Sequence, residues 1–149
     1  MGVHARDRQY QTQTGGSLRI LVADDQDYIR RGIRALIEAA PGLEVCAEAV
    51  NGEEAVQKTL ELQPDLVVLD ITMPVMNGLD AAKAIRSCSP NTPILIVSIH
   101  NIETMIEDAK RIGVQGFVAK AQASELLVDA IHSIMRHQKY FPKAKHHIN

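Results

Sequence analysis

The sequence predicts an α/β fold, a doubly wound parallel sheet with helices on both faces, and three observations carry that prediction. Five short apolar runs alternate with five stretches of helical periodicity between Leu18 and Arg136, and a strand-then-helix repeat closes into a parallel sheet through right-handed crossovers. The third run, Leu66-Val67-Val68-Leu69, is aliphatic without interruption, as expected of a strand covered on both faces. Four of the five runs end on a polar or charged residue: Asp24-Asp25, Asp70, Ser98 and Lys120. In an open parallel sheet the carboxyl ends of the strands share one edge, and ligands bind there.

Residues 1–17 are polar and aperiodic and read as a flexible tail, with Gly15-Gly16-Ser17 as a linker. Leu18 to Ala23 forms the first strand. Ile29, Ile33, Leu36 and Ile37 recur at helical spacing before Pro41-Gly42 stops the helix. Leu43 to Ala49 is a weaker strand whose Glu44 and Glu48 suggest a sheet edge. Asn51-Gly52 turns into a helix carrying Ala55, Val56 and Leu60, closed before Pro64. After the third strand, Pro74 and Asn77-Gly78 turn the chain into a helix carrying Leu79, Ala82 and Ile85, ended by Ser89-Pro90. Ile94 to Val97 is the fourth strand and stops at Ser98. Ile102, Met105, Ile106, Ala109 and Ile112 mark an amphipathic helix that ends at Gly113. Gln115 to Ala119 is the fifth strand, and Leu126, Leu127, Ala130, Ile131 and Ile134 mark the last helix.

Composition narrows the function classes. At 149 residues the chain suits one domain. A net charge of −2 gives no general pull toward nucleic acid or an anionic membrane. No apolar run approaches the roughly 20 residues that span a bilayer, and the polar start, with Arg6 at the sixth position, fits neither a secretory signal nor a myristoylation site. Cys46 and Cys88 form no ligand or redox motif and read as free thiols of a reducing compartment. A cytoplasmic protein is expected. His100 and the pair His146-His147 read as solvated residues rather than metal ligands, and Met73 and Met76 as loop packing beside the strand ends.

Three carboxylates on one edge repel one another, and at least one pKa rises unless a cation intervenes. An oxygen-only set with no Cys or His suits Mg²⁺, or Mn²⁺, better than zinc. Lys120 adds a positive charge and Ser98 a hydroxyl, both suited to phosphate oxygens. Asp70, from the central strand, is the carboxylate best placed to act as a nucleophile and form an aspartyl-phosphate, since phosphoryl transfer needs little beyond in-line positioning and charge neutralisation.

At these residues the chain resembles the receiver domain of two-component response regulators. The likeness rests on Asp24-Asp25 after the first strand, Asp70 within Asp-Ile-Thr-Met-Pro-Val-Met-Asn-Gly, Ser98 after the fourth strand and Lys120 after the fifth. It covers about residues 18–136, leaving 1–17 as the tail and 137–149 as a second tail or the start of a linker. The resemblance implies a flavodoxin-like (βα)5 sheet of order 2-1-3-4-5, an order for which a chemotaxis member of this same family is a standard example. It also implies phosphorylation of Asp70 by a sensor histidine kinase. Asp25 and Asp70 would hold Mg²⁺ with the backbone carbonyl of Thr72, and Asp24 through water. Lys120 would contact the phosphoryl group. Ser98 would move toward it and draw the following loop, while Phe117 occupies the family's aromatic switch position and, lacking a hydroxyl, reports only by burial of its ring.

Ala121 stands where many receivers have Pro after the lysine. With Gly116-Phe117-Val118-Ala119-Lys120-Ala121, Glu125-Leu126-Leu127 and His137-Gln138-Lys139-Tyr140-Phe141-Pro142, it resembles the NarL/FixJ (LuxR-type) branch. That branch implies an output in transcription through a helix-turn-helix domain beyond Asn149, with the present chain an excised receiver that does not bind DNA itself. The basic cluster Arg136, Lys139, Lys143 and Lys145 is short and lies where a linker starts. A stand-alone receiver that acts by docking on a partner protein is the competing reading. An Asp-nucleophile phosphatase is a third, but it wants a second Asp where Thr72 stands. A nucleotide-binding domain would want a glycine-rich loop where Asp24-Asp25-Gln26-Asp27 stands. Phosphorylation-dependent homodimerisation is expected through the face made by the fourth helix, fifth strand and fifth helix. Catalysis is expected to extend only to the chain's own phosphorylation and dephosphorylation.

Overall fold

The computed structural model describes residues 16–100 and 102–143. Expectations for residues 1–15, Lys145 and His146-His147 lie outside the described residues. Five strands, β1 (Leu18–Ala23), β2 (Leu43–Ala49), β3 (Leu66–Leu69), β4 (Ile94–Ser98) and β5 (Gly116–Ala119), alternate with five helices. The helices are α1 (Asp27–Glu38), α2 (Gly52–Leu62), α3 (Gly78–Cys88), α4 (Glu103–Ile112) and α5 (Ala123–Met135), with a single 3₁₀ turn over Lys120–Gln122 between β5 and α5. All strand pairs are parallel and the order is β2-β1-β3-β4-β5, the flavodoxin-like sheet that the sequence predicts.

Period-two alternation splits the interior into two layers. Leu21, Ala23, Val67, Leu69, Ile94, Ile96 and Phe117 face α2, α3 and α4, where Ala55, Ala82, Ile85 and Ala109 meet them. Ile20, Val22, Leu66, Val68, Leu95 and Val97 face α1 and α5, against Ile33, Ile37, Leu127 and Ile131. All four residues of β3 are buried, the reason its sequence shows no alternation of polarity.

Asn51 and Asn77, read from sequence as turn residues, are helix N-caps: their side-chain oxygens accept the backbone N–H of Glu54 at 2.8 Å and of Asp80 at 2.9 Å. The glycines that follow are demanded by close approach. A Cβ on Gly78 would lie 1.9 Å from the Asp70 carbonyl oxygen, and one on Gly52 would lie 2.2 Å from that of Met76. Gly78 N–H donates to Ile71 O and Gly52 N–H to Met76 O, so the β3–α3 loop is tied at both ends. Between them Val75 sits at φ 69° with Met76 N–H donating to Pro74 O at 2.7 Å. That γ-turn is costly for a β-branched residue, and it lies five residues from Asp70.

Two local readings change. In α2 the inward residues are Ala55 and Thr59, while Leu60 is 47% exposed; Thr59 is tolerated inside because its hydroxyl donates to Ala55 O at 2.7 Å. After α5 the chain turns at His137 (φ 65°) and runs back along β5. Tyr140 N–H donates to Gln115 O, Phe117 N–H donates to Tyr140 O at 2.8 Å, and Phe141 packs on the α4-side layer. Packed structure therefore continues through Phe141, past the expected start of a linker.

Candidate functional site

Register decides which strand ends meet. Ala23 and Leu69 are paired across β1 and β3, so the next residues, Asp24 and Asp70, emerge side by side where the connections from β1 and β3 depart in opposite directions. Asp24, Asp25 and Asp70 each offer a carboxylate oxygen within 4.8 Å of the others. Asp24 is fully buried, Asp70 4% exposed and Asp25 exposed, so two acids line the floor and one the rim.

Lys120 enters from the end of β5, its Nζ 2.8 Å from Asp24 Oδ2 and 3.3 Å from Asp70 Oδ1. One ammonium faces two buried carboxylates, and neutralisation is incomplete. Burial, and then the charge of Asp24, push the Asp70 carboxyl from the usual 3.8 up to about 6. The Lys120 charge and hydrogen bond and the Thr72 backbone N–H pull the other way. At neutral pH Asp70 is mostly ionised.

Asp24 Oδ1 accepts the Gln26 N–H at 2.9 Å. Its Oδ2 is sealed from solvent and lacks a properly aligned hydrogen bond; the Lys120 ammonium 2.8 Å away gives it charge without the directional contact. A buried carboxylate oxygen whose near partner is an ammonium shared with Asp70 is incompletely satisfied, and a hard cation, or water held by one, is the further partner it suits. By that observation and by the oxygen-only donor set, the site fits Mg²⁺.

Ser98 closes β4 in register with Ala119 and is 1% exposed. Its Oγ accepts the His100 N–H at 3.0 Å, so the hydroxyl is engaged with its own loop. Phe117 lies deeper, fully buried in the α4-side layer with Ile106, Ala109 and the ring of Phe141. Thr72 is exposed two residues beyond Asp70. His100 is exposed, Met73 is buried in the core and Met76 packs against it.

The sequence reading missed Arg30. Its guanidinium is buried and donates to the Asp24 carbonyl oxygen at 2.8 Å, to Glu48 Oε1 at 2.6 Å and to Asp27 Oδ1 at 2.7 Å. The signal available was its position one residue after Ile29 and three before Ile33, beside the inward stripe of α1 rather than opposite it.

Comparisons with known proteins agree with this geometry. The family model described as the response regulator receiver domain matches residues 20–132. The chemotaxis protein CheY of Thermotoga maritima is 39% identical over 118 residues, 79% of this chain and 98% of that protein. The nitrate/nitrite response regulator protein NarL of Escherichia coli is 37% identical over 113 residues, 76% of this chain and 52% of that protein. The chain thus spans about half the length of the transcriptional regulators it matches. Among solved structures, a LuxR-family two-component response regulator from Aurantimonas sp. superposes with a TM-score of 0.81 at 35% identity, covering 84% of this chain and 89% of that one.

Proposed function

The chain belongs to the response regulator receiver domain family, and from that premise we propose that it accepts a phosphoryl group on Asp70 from a sensor histidine kinase. Mg²⁺ would be held by Asp24, Asp25, Asp70 and the carbonyl of Thr72. The observation that carries this reading is the nearly buried Asp70 carboxylate at the end of the central strand, within 3.3 Å of the Lys120 ammonium and grouped with two further acids.

An Asp70 carboxylate oxygen attacks the phosphorus of the donor phosphohistidine. A P–O bond forms, the P–N bond breaks and the imidazole departs with the electron pair and takes up a proton. With its carboxyl near 6, Asp70 needs no separate base at neutral pH. Lys120 moves from balancing two carboxylates to pairing with a phosphoryl oxygen. Asp24, Asp25, Asp70 and the Thr72 carbonyl would hold a Mg²⁺ ion whose positive charge would complete the neutralisation of the transferring group. Ser98 turns its O–H to the phosphoryl group and carries the His100 loop with it, and the space it leaves is felt at Phe117.

A protein donor is supported by the surroundings. Tyr28, Val75 and Ile99, 84%, 75% and 64% exposed, all lie on segments that follow strand carboxyl ends, the edge that presents Asp70. Apolar side chains left in water around a charged site suit a protein surface. Since this chain matches only about half of the length of relatives such as NarL, we assign the output to transcription through a DNA-binding domain C-terminal to these residues. Among the described residues no helix is long and apolar enough to cross a membrane.

The test is intact-mass measurement with Mg²⁺ and a small acyl-phosphate donor. One phosphoryl group should be added to the wild type and none to Asp70→Asn. Unchanged labelling of Asp70→Asn would move the acceptor elsewhere.

A further inference from the structure

We infer that Arg30 is a positioning residue for the cation site, set in place by an irregularity in the edge strand β2. The inference rests on the Mg²⁺-dependent reading above. Pairing of β1 with β2 slips between Ile20 and Leu21: Ile20 faces Val45 but Leu21 faces Ala47, leaving Cys46 as an extra residue. Leu43 and Val45 accordingly pack on the α1 side of the sheet, whereas Ala47 and Ala49 pack on the opposite side. Glu48, between those two alanines, points back toward α1. Strict alternation from Leu43 would have placed it on the other face. Bulges beside functional sites re-aim side chains in this way.

The re-aimed Glu48 receives Arg30 Nε at 2.6 Å and Arg34 Nη1 at 2.5 Å. Held so, the Arg30 guanidinium spends its two remaining arms on the Asp24 carbonyl oxygen and on Asp27 Oδ1. Those two contacts bracket the Asp24-Asp25-Gln26-Asp27 turn. The backbone between two carboxylates of the cation site is therefore fixed by a buried, three-armed clamp anchored on β2. Outer-shell contacts of this kind orient ligands and set metal affinity, and a planar fork with fixed donor directions cannot be replaced by a lysine.

Charge and positioning predict opposite signs. Arg30 is a cation beside a cation site, so if its charge alone mattered, removing it would tighten Mg²⁺ binding. Loss of the clamp weakens it. Calorimetric titration of Mg²⁺ into the folded chain at neutral pH reads the difference. Arg30→Gln should raise the Kd by about tenfold, Arg30→Lys should follow Arg30→Gln rather than the wild type despite its charge, and Glu48→Gln should shift the Kd in the same direction by less. A Kd for Arg30→Gln equal to or below that of the wild type overturns the inference. If Arg30→Gln does not fold, Glu48→Gln decides, an unchanged Kd again being the adverse result. A wild type that shows no saturable Mg²⁺ binding refutes the reading underneath instead.

Discussion

The two ends of the sheet are held by different kinds of force. At the β2 end the acids sit beside directional, charged contacts: Arg30 and Arg34 converge on Glu48, and Lys58 Nζ donates to the Glu48 carbonyl oxygen at 2.5 Å. The Glu48 carboxyl is lowered chiefly by the hydrogen bond from Arg30. At the β5 end, away from the Lys120 ion pairs, the packing around Phe117 is apolar. Phe117 is fully buried in the apolar layer against which Phe141 packs, the returning segment contributes two backbone hydrogen bonds at Tyr140, and Lys110 Nζ sits 5.1 Å from the centre of the Phe141 ring. Charge-assisted bonds fix angles as well as distances, whereas apolar contact is non-directional. The first kind suits a cation site, and the second suits the end where Ser98 and Phe117 would move.

The largest effect that tests this division is Phe117→Ala. Emptying a fully buried aromatic site should cost about 3–5 kcal/mol, seen as a large fall in Tm, while the Mg²⁺ Kd of the still-folded fraction stays at the wild-type value. Phe117→Leu should show a smaller fall of the same kind. A Kd that changes in Phe117→Leu would show that the two ends are mechanically one.

Next in size is the pH dependence of the acid cluster. Asp70 has a folded-state pKa near 6, above its ordinary 3.8, so the folded state binds that proton more tightly than the unfolded chain. The resulting stabilisation is complete below about pH 4 and is lost as pH rises through 6. A shift of this size corresponds to about 3 kcal/mol. In chelator at pH 7, Asp70→Asn should melt above the wild type, and the gap should close on acidification to pH 4.5. Mg²⁺ should raise the wild-type Tm and raise that of Asp70→Asn less. An Asp70→Asn chain that melts below the wild type at pH 7 without metal would mean that the carboxylate is not a net cost.

Much of this arrangement was legible in the residues. Uninterrupted aliphatic runs at Leu66–Leu69 and Ile94–Val97 mark strands buried on both sides, and a polar residue just past each strand end names the edge on which it emerges. What escaped has physical causes. The Cys46 bulge leaves the composition of β2 unchanged and alters only which faces the residues after it, Ala47, Glu48 and Ala49, occupy. Arg30 is an arginine in a helix, and its burial depends on partners 3 and 18 residues away. The return of Tyr140 to β5 is a backbone pairing with Gly116 and Phe117 that side-chain periodicity does not encode. Thr59 inside α2 is invisible for a related reason, because a hydroxyl bonded to its own helix no longer behaves as polar.

The smallest effect concerns Lys110. Its ammonium lies over the Phe141 ring and 3.6 Å from Glu107, with the side chain 44% exposed, and contacts of either type are worth about 0.5 kcal/mol at such a site. Lys110→Gln should therefore barely move Tm. Its signature should be local. The Phe117 N–H donates to Tyr140 O, so this amide exchanges with solvent when the returning segment lifts. A loss of about 0.5 kcal/mol in the contact holding that segment should speed exchange at Phe117 about twofold, with the amides of β1 and β3 unaffected. The measurement is native-state hydrogen exchange read residue by residue. If the Phe117 amide exchanges only at the rate of global unfolding, in both wild type and Lys110→Gln, then the β5 end does not open by itself and is held as firmly as the β2 end. Faster exchange confined to Phe117 and Tyr140 is the expected result, since the ring contact acts directly on the segment that the two Tyr140 hydrogen bonds and the packing of Tyr140 and Phe141 hold against β5.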